Sequence, residues 1–271
     1  MQSYTRKVKQ PNIPPSTPLD NTTEIQVAYT TMWQVKFKNR HYSNFLLQLN
    51  CMITIKWLNL HLQSREYRSM KLVIMTKSTF FVEEDKIITT LFDEGLDNLH
   101  LNKPNSEPIY SERILTLLPE DCYKRITVHN HFYLTQEYRL KGIHIDDAGT
   151  EIPSYYKGRF SRTCNSLEEL KGSKKNAEYV FLNNTFDAQG KDTAYPKYSF
   201  EQLKAAAKSG LIDKRVYALG GVTLDNIKMA KDLGFGGVVI CEDLWNRFNI
   251  HTGLDFKELM AHFERLKKAV G

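Results

Sequence analysis

RVYALGGVTLDN, residues 215–226, is the stretch on which the fold turns. Val216, Ala218, Leu219 and Val222 are apolar, and Gly220 and Gly221 leave the backbone bare. Thr223 or Asp225 can cap a helix that continues through Ile227, Met229 and Ala230. The order is buried strand, glycine pair, helix N-terminus. A backbone without Cβ atoms, followed by free helix N–H groups, suits a phosphate. A glycine pair alone also serves a plain strand-to-helix turn. Its meaning depends on how many such units surround it and where in the series it stands.

Working outward, the same alternation recurs. Downstream, GVVIC (237–241) reads as a further strand, and residues 255–270 as a long amphipathic helix. Upstream, short apolar runs of buried-strand type occur at 71–75 (KLVIM), 99–102, 125–129 (RITVH), 142–146 (GIHID), 159–164 and 179–183 (YVFLN). Helical patterns fall between them at 85–95, 111–118, 134–140, 166–171 and 199–208, and the glycine pair's own helix at 225–233. Ser166 with Glu169 forms a capping-box pattern. Residues 148–157 contain Pro153 and no helical period, so one outer helix is expected to be reduced. Eight strand–helix units in about 200 residues match an α/β fold of the (β/α)8 TIM-barrel type; a doubly wound open sheet is the alternative, and the count and short connections favour closure.

The pattern begins abruptly at Met70. Residues 1–69 hold Pro11, Pro14, Pro15 and Pro18, and no period is sustained there. We expect two parts: an irregular N-terminal extension over 1–69 and a barrel domain over 70–271. The extension is either poorly ordered or upstream of a native start at Met70, which the abrupt onset favours.

The 271 residues carry a formal charge of +6. Residues 1–69 hold nine Lys or Arg against three acids, so the whole excess lies there and the barrel segment is balanced. A nucleic-acid partner would therefore require the extension to be a binding arm, and the barrel itself gives no sign of one. No apolar run reaches membrane-spanning length. The stretch 45–60 is interrupted by Gln48, Asn50, Lys56 and Asn59 and lacks a signal-peptide cleavage pattern. Four widely spaced cysteines without a CxxC pair indicate a reduced, cytoplasmic chain.

In such a barrel the active site lies at the C-terminal ends of the strands, with phosphate usually bound after strands seven and eight. At this position Gly220 and Gly221 are expected to form a phosphate site. The other strand ends bring His100, Asn102 and Lys103 (strand two), His129, Asn130 and His131 (three), Asp146 and Asp147 (four), Thr163 and Asn165 (five), Asn183 (six) and Glu242 (eight) to the mouth, with Lys191 beyond strand six. His129 and His131 share one side of a strand and could pair on a metal, although two polar residues at a strand end are more often simply solvated. Asp146 and Asp147 could hold Mg2+ for a pyrophosphate. Cys164 and Cys241 sit beside apolar strand residues and read as packed thiols rather than nucleophiles. Trp245 and Phe248 are expected to pack within the chain.

LHLNKP (99–104), GIHIDD (142–147), SLEEL (166–170), YVFLNNTFD (179–187) and YALGGVTLDN (217–226), in this order, resemble the thiamine-phosphate synthase family, which includes the TenI-type thiazole tautomerases. The resemblance covers about residues 70–271. It implies a usually dimeric barrel that joins hydroxymethylpyrimidine pyrophosphate to thiazole phosphate, with Mg2+ and basic residues stabilising the departing pyrophosphate. Phosphorylated small molecules would be the partners. By the same resemblance the thiazole phosphate would sit on Gly220, Gly221 and the N–H groups after strand eight, while His100, Lys103 and Lys191 would serve the pyrophosphate. Several positions depart from the family's pattern. Asn102 stands in place of an Arg, and His129-Asn130 in place of Asn-Asp. The acid after strand four falls near Gly149, leaving Asp146 or Asp147 as substitutes. Thr163-Cys164-Asn165 replaces Ser-x-His, which removes a tautomerase base, and Asn183-Asn184 replaces Gly-Pro. Glu242 occupies a place normally small. These departures point to a synthase-like protein with weakened activity. The alternatives are a tautomerase-like enzyme and a non-catalytic barrel that binds a phosphorylated ligand.

Overall fold

A computed structural model describes residues 69–147, 149–186, 197–248 and 256–271. Residues 1–68 of the extension expected over 1–69 lie outside these residues, as does Lys191. The described chain alternates strand and helix. The strands are β1 (Lys71–Met75), β2 (Leu99–Leu101), β3 (Ile126–Val128), β4 (Gly142–Ile145), β5 (Phe160–Cys164), β6 (Val180–Leu182), β7 (Val216–Ala218) and β8 (Gly237–Ile240). All neighbours pair in parallel, and the order β1 to β8 closes on itself through β1–β8, from Lys71↔Gly237 to Ile74↔Ile240. The (β/α)8 barrel read from the sequence is the fold.

The helices are α1 (Glu84–Asp93), α2 (Pro108–Leu117), α3 (Leu134–Glu137), α4 (Leu167–Ser173), α5 (Phe200–Lys208), α6 (Ile227–Asp232), α7 (Glu242–Trp245) and α8 (Phe256–Val270). Short 3-10 turns at Glu120–Arg125 and Leu224–Asn226 precede β3 and α6. The first of these turns and α7 were not legible as elements, because one turn of helix shows no period. Between β4 and β5 the described residues form no helix, matching the reading of 148–157 as a reduced connection.

Caps explain several boundaries. Ser166 accepts from the Glu169 N–H at 3.3 Å, which is half of the expected capping box. The Glu169 carboxylate reaches Asn165 N at 2.9 Å instead of closing on Ser166. The 3-10 turn that leads into α6 is capped by Thr223, whose N–H donates to Asn226 Oδ1 at 3.0 Å.

Side chains alternate between the two faces of each strand. Outward residues such as Ile74, Leu99, Val128, Ile143, Leu182 and Val238 pack against the helices in one continuous core. Inward residues divide into two halves. Val73, Met75, Tyr179, Phe181, Tyr217 and Val239, from β1 and β6–β8, form a second, apolar cluster inside the barrel. From β2–β5 the buried inward residues are polar: His100, Thr127, His129, His144, Ser161 and Thr163. Trp245 is 1% exposed; its Nε1 donates to Met75 O at 2.7 Å and its ring meets Phe81. Phe248 also lies against Phe81, so both aromatics pack within the chain, as expected.

Candidate active site

At the ends of β7 and β8 the site is made of backbone. Gly220 and Gly221 have φ of 90° and 65°, a region that side chains disfavour. A Cβ on Gly220 would lie 2.9 Å from the backbone N and Cα of Asn184. The close approach is held by hydrogen bonds from Thr185 N to Leu219 O (2.9 Å) and Phe186 N to Gly220 O (3.0 Å). Asn226 Nδ2 donates to Gly221 O at 2.8 Å and ties the loop to the helix behind it. Asp243 completes the bracket: its Oδ2 accepts from Leu224 N (3.2 Å) and from His262 Nε2 (2.7 Å). The N–H groups of Gly221 and Val222 find no acceptor among the described residues, nor do those of Glu242 and Asp243 at the start of α7.

A cavity of about 500 Å³ opens here, lined among others by Leu219, Gly220, Gly221, Cys241, Glu242 and Arg247. Glu242 is exposed at its rim. Arg247, which sequence reasoning missed, brings a guanidinium to the same cavity, 3.6 Å from Asp243 Oδ1. Burial pushes the Cys241 thiol up to about 11, and Cys164 is fully buried, so neither supplies a thiolate nucleophile.

Across the mouth, Lys103, which the resemblance gave to pyrophosphate, turns away from it. Lys103 is buried. Its Nζ donates to both Glu84 oxygens (2.6 and 2.9 Å), to Lys77 O (2.9 Å) and to Thr79 O (3.0 Å). Its side chain is 0% exposed, so no ammonium faces the mouth. Burial raises the Glu84 carboxyl and lowers the Lys103 ammonium, while the pair's mutual attraction opposes both shifts. Asn102 is half-buried beside Thr76 and Met75. Asn130 Oδ1 accepts from Lys103 N, and Asn183 Nδ2 donates to Asn165 Oδ1 at 3.0 Å. The Asn165 carbonyl also receives Lys197 Nζ and Tyr198 OH.

His129 and His131 do not come together. His131 adopts φ 55° and turns its Nε2 to Ser106 O, which breaks the alternation on which a metal pair would depend. His129 points into the barrel instead. Its Nδ1 is 2.8 Å from Asp146 Oδ1, and its Nε2 is 2.8 Å from His100 Nδ1. His100 Nε2 is 2.8 Å from Tyr179 OH, which also receives Asn98 Nδ2 at 3.0 Å. His144 lies between Ser161 Oγ (2.7 Å) and Thr163 Oγ1 (2.8 Å), so Thr163 is a partner of His144. Burial holds His100 and His144 well below their ordinary value, and both are neutral at pH 7.

One nitrogen from each of His100, His129 and His144 lies within 4.8 Å of the others. The rings of His129 and His144 are stacked at 4.3 Å and 24°, so their in-plane lone pairs do not converge on one point. The trio is a satisfied polar layer, and imidazoles do not suit Mg2+. Mg2+ prefers carboxylates completed by water and phosphate oxygens. Asp146 and Asp147, both exposed at the end of β4, meet that requirement, with Asp147 Oδ1 also accepting from Gly149 N.

The chain is similar to known proteins of one family. The family described as thiamine monophosphate synthase matches residues 118–244. The thiamine-phosphate synthase of Flavobacterium johnsoniae is 22% identical over 184 residues, covering 63% of this chain and 86% of that protein. The crystal structure of a thiamine phosphate pyrophosphorylase from Bacteroides thetaiotaomicron is 46% identical with a TM-score of 0.67, covering 74% of this chain and 97% of that one. A thiamine phosphate pyrophosphorylase from Pyrococcus furiosus, 16% identical with a TM-score of 0.58 over 75% of this chain and 96% of its own, shares the fold. The chain belongs to the thiamine-phosphate synthase family.

Proposed function

We propose that the barrel joins hydroxymethylpyrimidine pyrophosphate to thiazole phosphate and does so slowly. The observation that carries this reading is the glycine cradle, set within a chain 46% identical to a thiamine phosphate pyrophosphorylase. In the reaction the pyrimidine methylene C–O bond breaks and pyrophosphate departs with the electron pair. The thiazole nitrogen then forms the new C–N bond. The N–H groups after Gly220 and Gly221 and the Arg247 guanidinium bind the thiazole phosphate. The apolar inner half of the barrel excludes water from the developing cation. Mg2+, held by Asp146 and Asp147, would supply charge neutralisation to the departing pyrophosphate.

The slowness follows from the opposite wall, where Asn102 is neutral and Lys103 is paired inside with Glu84. A missing electrostatic donor costs about 3 kcal/mol of transition-state stabilisation, or about two orders of magnitude in rate. Incubating the purified chain with both substrates and Mg2+ tests the reading, which expects slow formation of thiamine phosphate. Asn102→Arg is expected to raise turnover by up to about two orders of magnitude. No product from either protein would leave a second reading, a non-catalytic barrel that binds a phosphorylated ligand; the internal Lys103–Glu84 pair favours it. Asn165, which holds Asn183, supplies no base for a tautomerase. The cysteines among the described residues are unpaired, which suits a cytoplasmic setting, and the family's usual homodimer is the assembly we propose.

A further inference from the structure

The hydrogen bonds from Asp146 into the barrel run in one direction. An ionised Asp146 has no proton to give, so the proton on His129 faces it from Nδ1. With Nδ1–H given to Asp146, Nε2 of His129 is left to accept from His100 Nδ1–H across 2.8 Å. Neutral His100 then has a bare Nε2, and the Tyr179 hydroxyl donates to it at 2.8 Å. The Tyr179 oxygen in turn accepts from the Asn98 amide at 3.0 Å. No two lone pairs face each other along this path. Reversing it would set bare nitrogens against the carboxylate. Every member except Asp146 is buried: His100 at 0%, His129 at 4%, Tyr179 at 6% and Asn98 at 6% exposure. Asp146, whose side chain is 45% exposed, is the one end of the path that reaches the mouth.

We infer that His129, braced by His100 and Tyr179, is a positioning residue that fixes Oδ1 of Asp146 and thereby presents Oδ2 to a divalent cation. A carboxylate free to rotate takes up many orientations, and holding one oxygen by a buried donor removes that freedom before the cation arrives. The stack of His144 on His129, at 4.3 Å, prevents the imidazole from swinging aside. Metal sites commonly show such backing of a ligand by a buried hydrogen-bonding partner, and its loss typically weakens binding about 10- to 100-fold. The inference rests on the synthase reading only in the choice of cation. It adds a role for four buried residues, His129, His100, Tyr179 and Asn98.

The test uses the full chain, with Mn2+ as the probe and paramagnetic resonance as the readout of binding. Nitrogen-15 NMR of the histidines reads the direction of the path. The expected spectrum places the proton of both His129 and His100 on Nδ1. Asp146→Ala is expected to abolish Mn2+ binding, and His129→Leu to weaken it about 10-fold or more. His129→Asn keeps an N–H near the Nδ1 place and is expected to restore most of that loss. Tyr179→Phe, which removes one hydroxyl and keeps the ring, gives a smaller loss of the same sign and serves if His129→Leu fails to fold. A proton on Nε2 of His129, or equal Mn2+ affinity in His129→Leu and the parent, overturns the inference, as does a parent chain that takes up no Mn2+. A parent that binds Mn2+ with these tautomers yet makes no thiamine phosphate sinks the synthase reading and leaves the positioning role standing.

Discussion

The two halves of the barrel interior are built on the same alternation and do opposite things. From β6 through β1 the inward residues are apolar or aromatic, with Tyr179 and Tyr217 stacked at 4.7 Å and Phe181 beside them. Above them sits a cradle made of backbone. From β2 through β5 the inward residues are histidines and hydroxyls joined by hydrogen bonds, and above them the chemistry depends on side-chain charge. A backbone cradle needs two glycines and tolerates change elsewhere. A side-chain site is altered by every substitution, and here Asn102 and the inward Lys103 have altered it. The cradle is backbone open to the mouth, whereas beside the opposing wall the Lys103 ammonium is turned onto Glu84.

The contrast makes Lys103 a residue of stability. Lys103→Met leaves the Glu84 carboxyl buried without its cation, and the loss in urea unfolding is expected at about 3–5 kcal/mol. A loss under about 1 kcal/mol, the scale of an exposed pair, would mean that the ammonium is free for ligand.

Gly220→Ala probes the other wall. It forces an L side chain to φ 90° and pushes a Cβ to 2.9 Å from the Asn184 backbone, costing about 3 kcal/mol in all. Gly210, at φ 75° with nothing within 4 Å of its Cβ, supplies the control. Gly210→Ala is expected to cost about 1 kcal/mol. Equal losses at the two positions would show that the approach of β6 and β7 loops is not tight.

The polar half also makes stability sensitive to acid. Burial holds His100 and His144 neutral in the folded chain, whereas in the unfolded chain both take protons near their ordinary value of 6.5. Below that pH the unfolded state binds more protons, so stability falls as pH falls and these two groups contribute no loss above it. Their combined effect between pH 6.5 and pH 5.5 is about 2 kcal/mol. Thermal melts across that interval measure it, and an unchanged melting temperature would contradict neutral burial of the pair.

The strands and the cradle were legible in the sequence because apolar runs and a glycine pair are local signals. KLVIM, GIHID and GVVIC each announce a buried strand, and counting them placed the glycines after the seventh. The inward turn of Lys103 was not legible. Its acceptors come from Glu84, 19 residues upstream, and from the carbonyls of Lys77 and Thr79, and no pattern around 103 encodes that meeting. His144 and Tyr179 are inward by alternation, yet their partners lie on other strands. Arg247 follows a helix too short to show a period, so its approach to the cradle carried no signal.

We propose that the glycine wall binds phosphate although Lys103, beside the opposite wall, is turned into the fold. Thiazole phosphate added to the full chain tests it through the melting temperature. A ligand at about 100 times its dissociation constant adds about 2.7 kcal/mol to the native state, so the parent is expected to melt several degrees higher and Gly220→Ala to shift far less. No rise in the parent at saturating thiazole phosphate would contradict the claim.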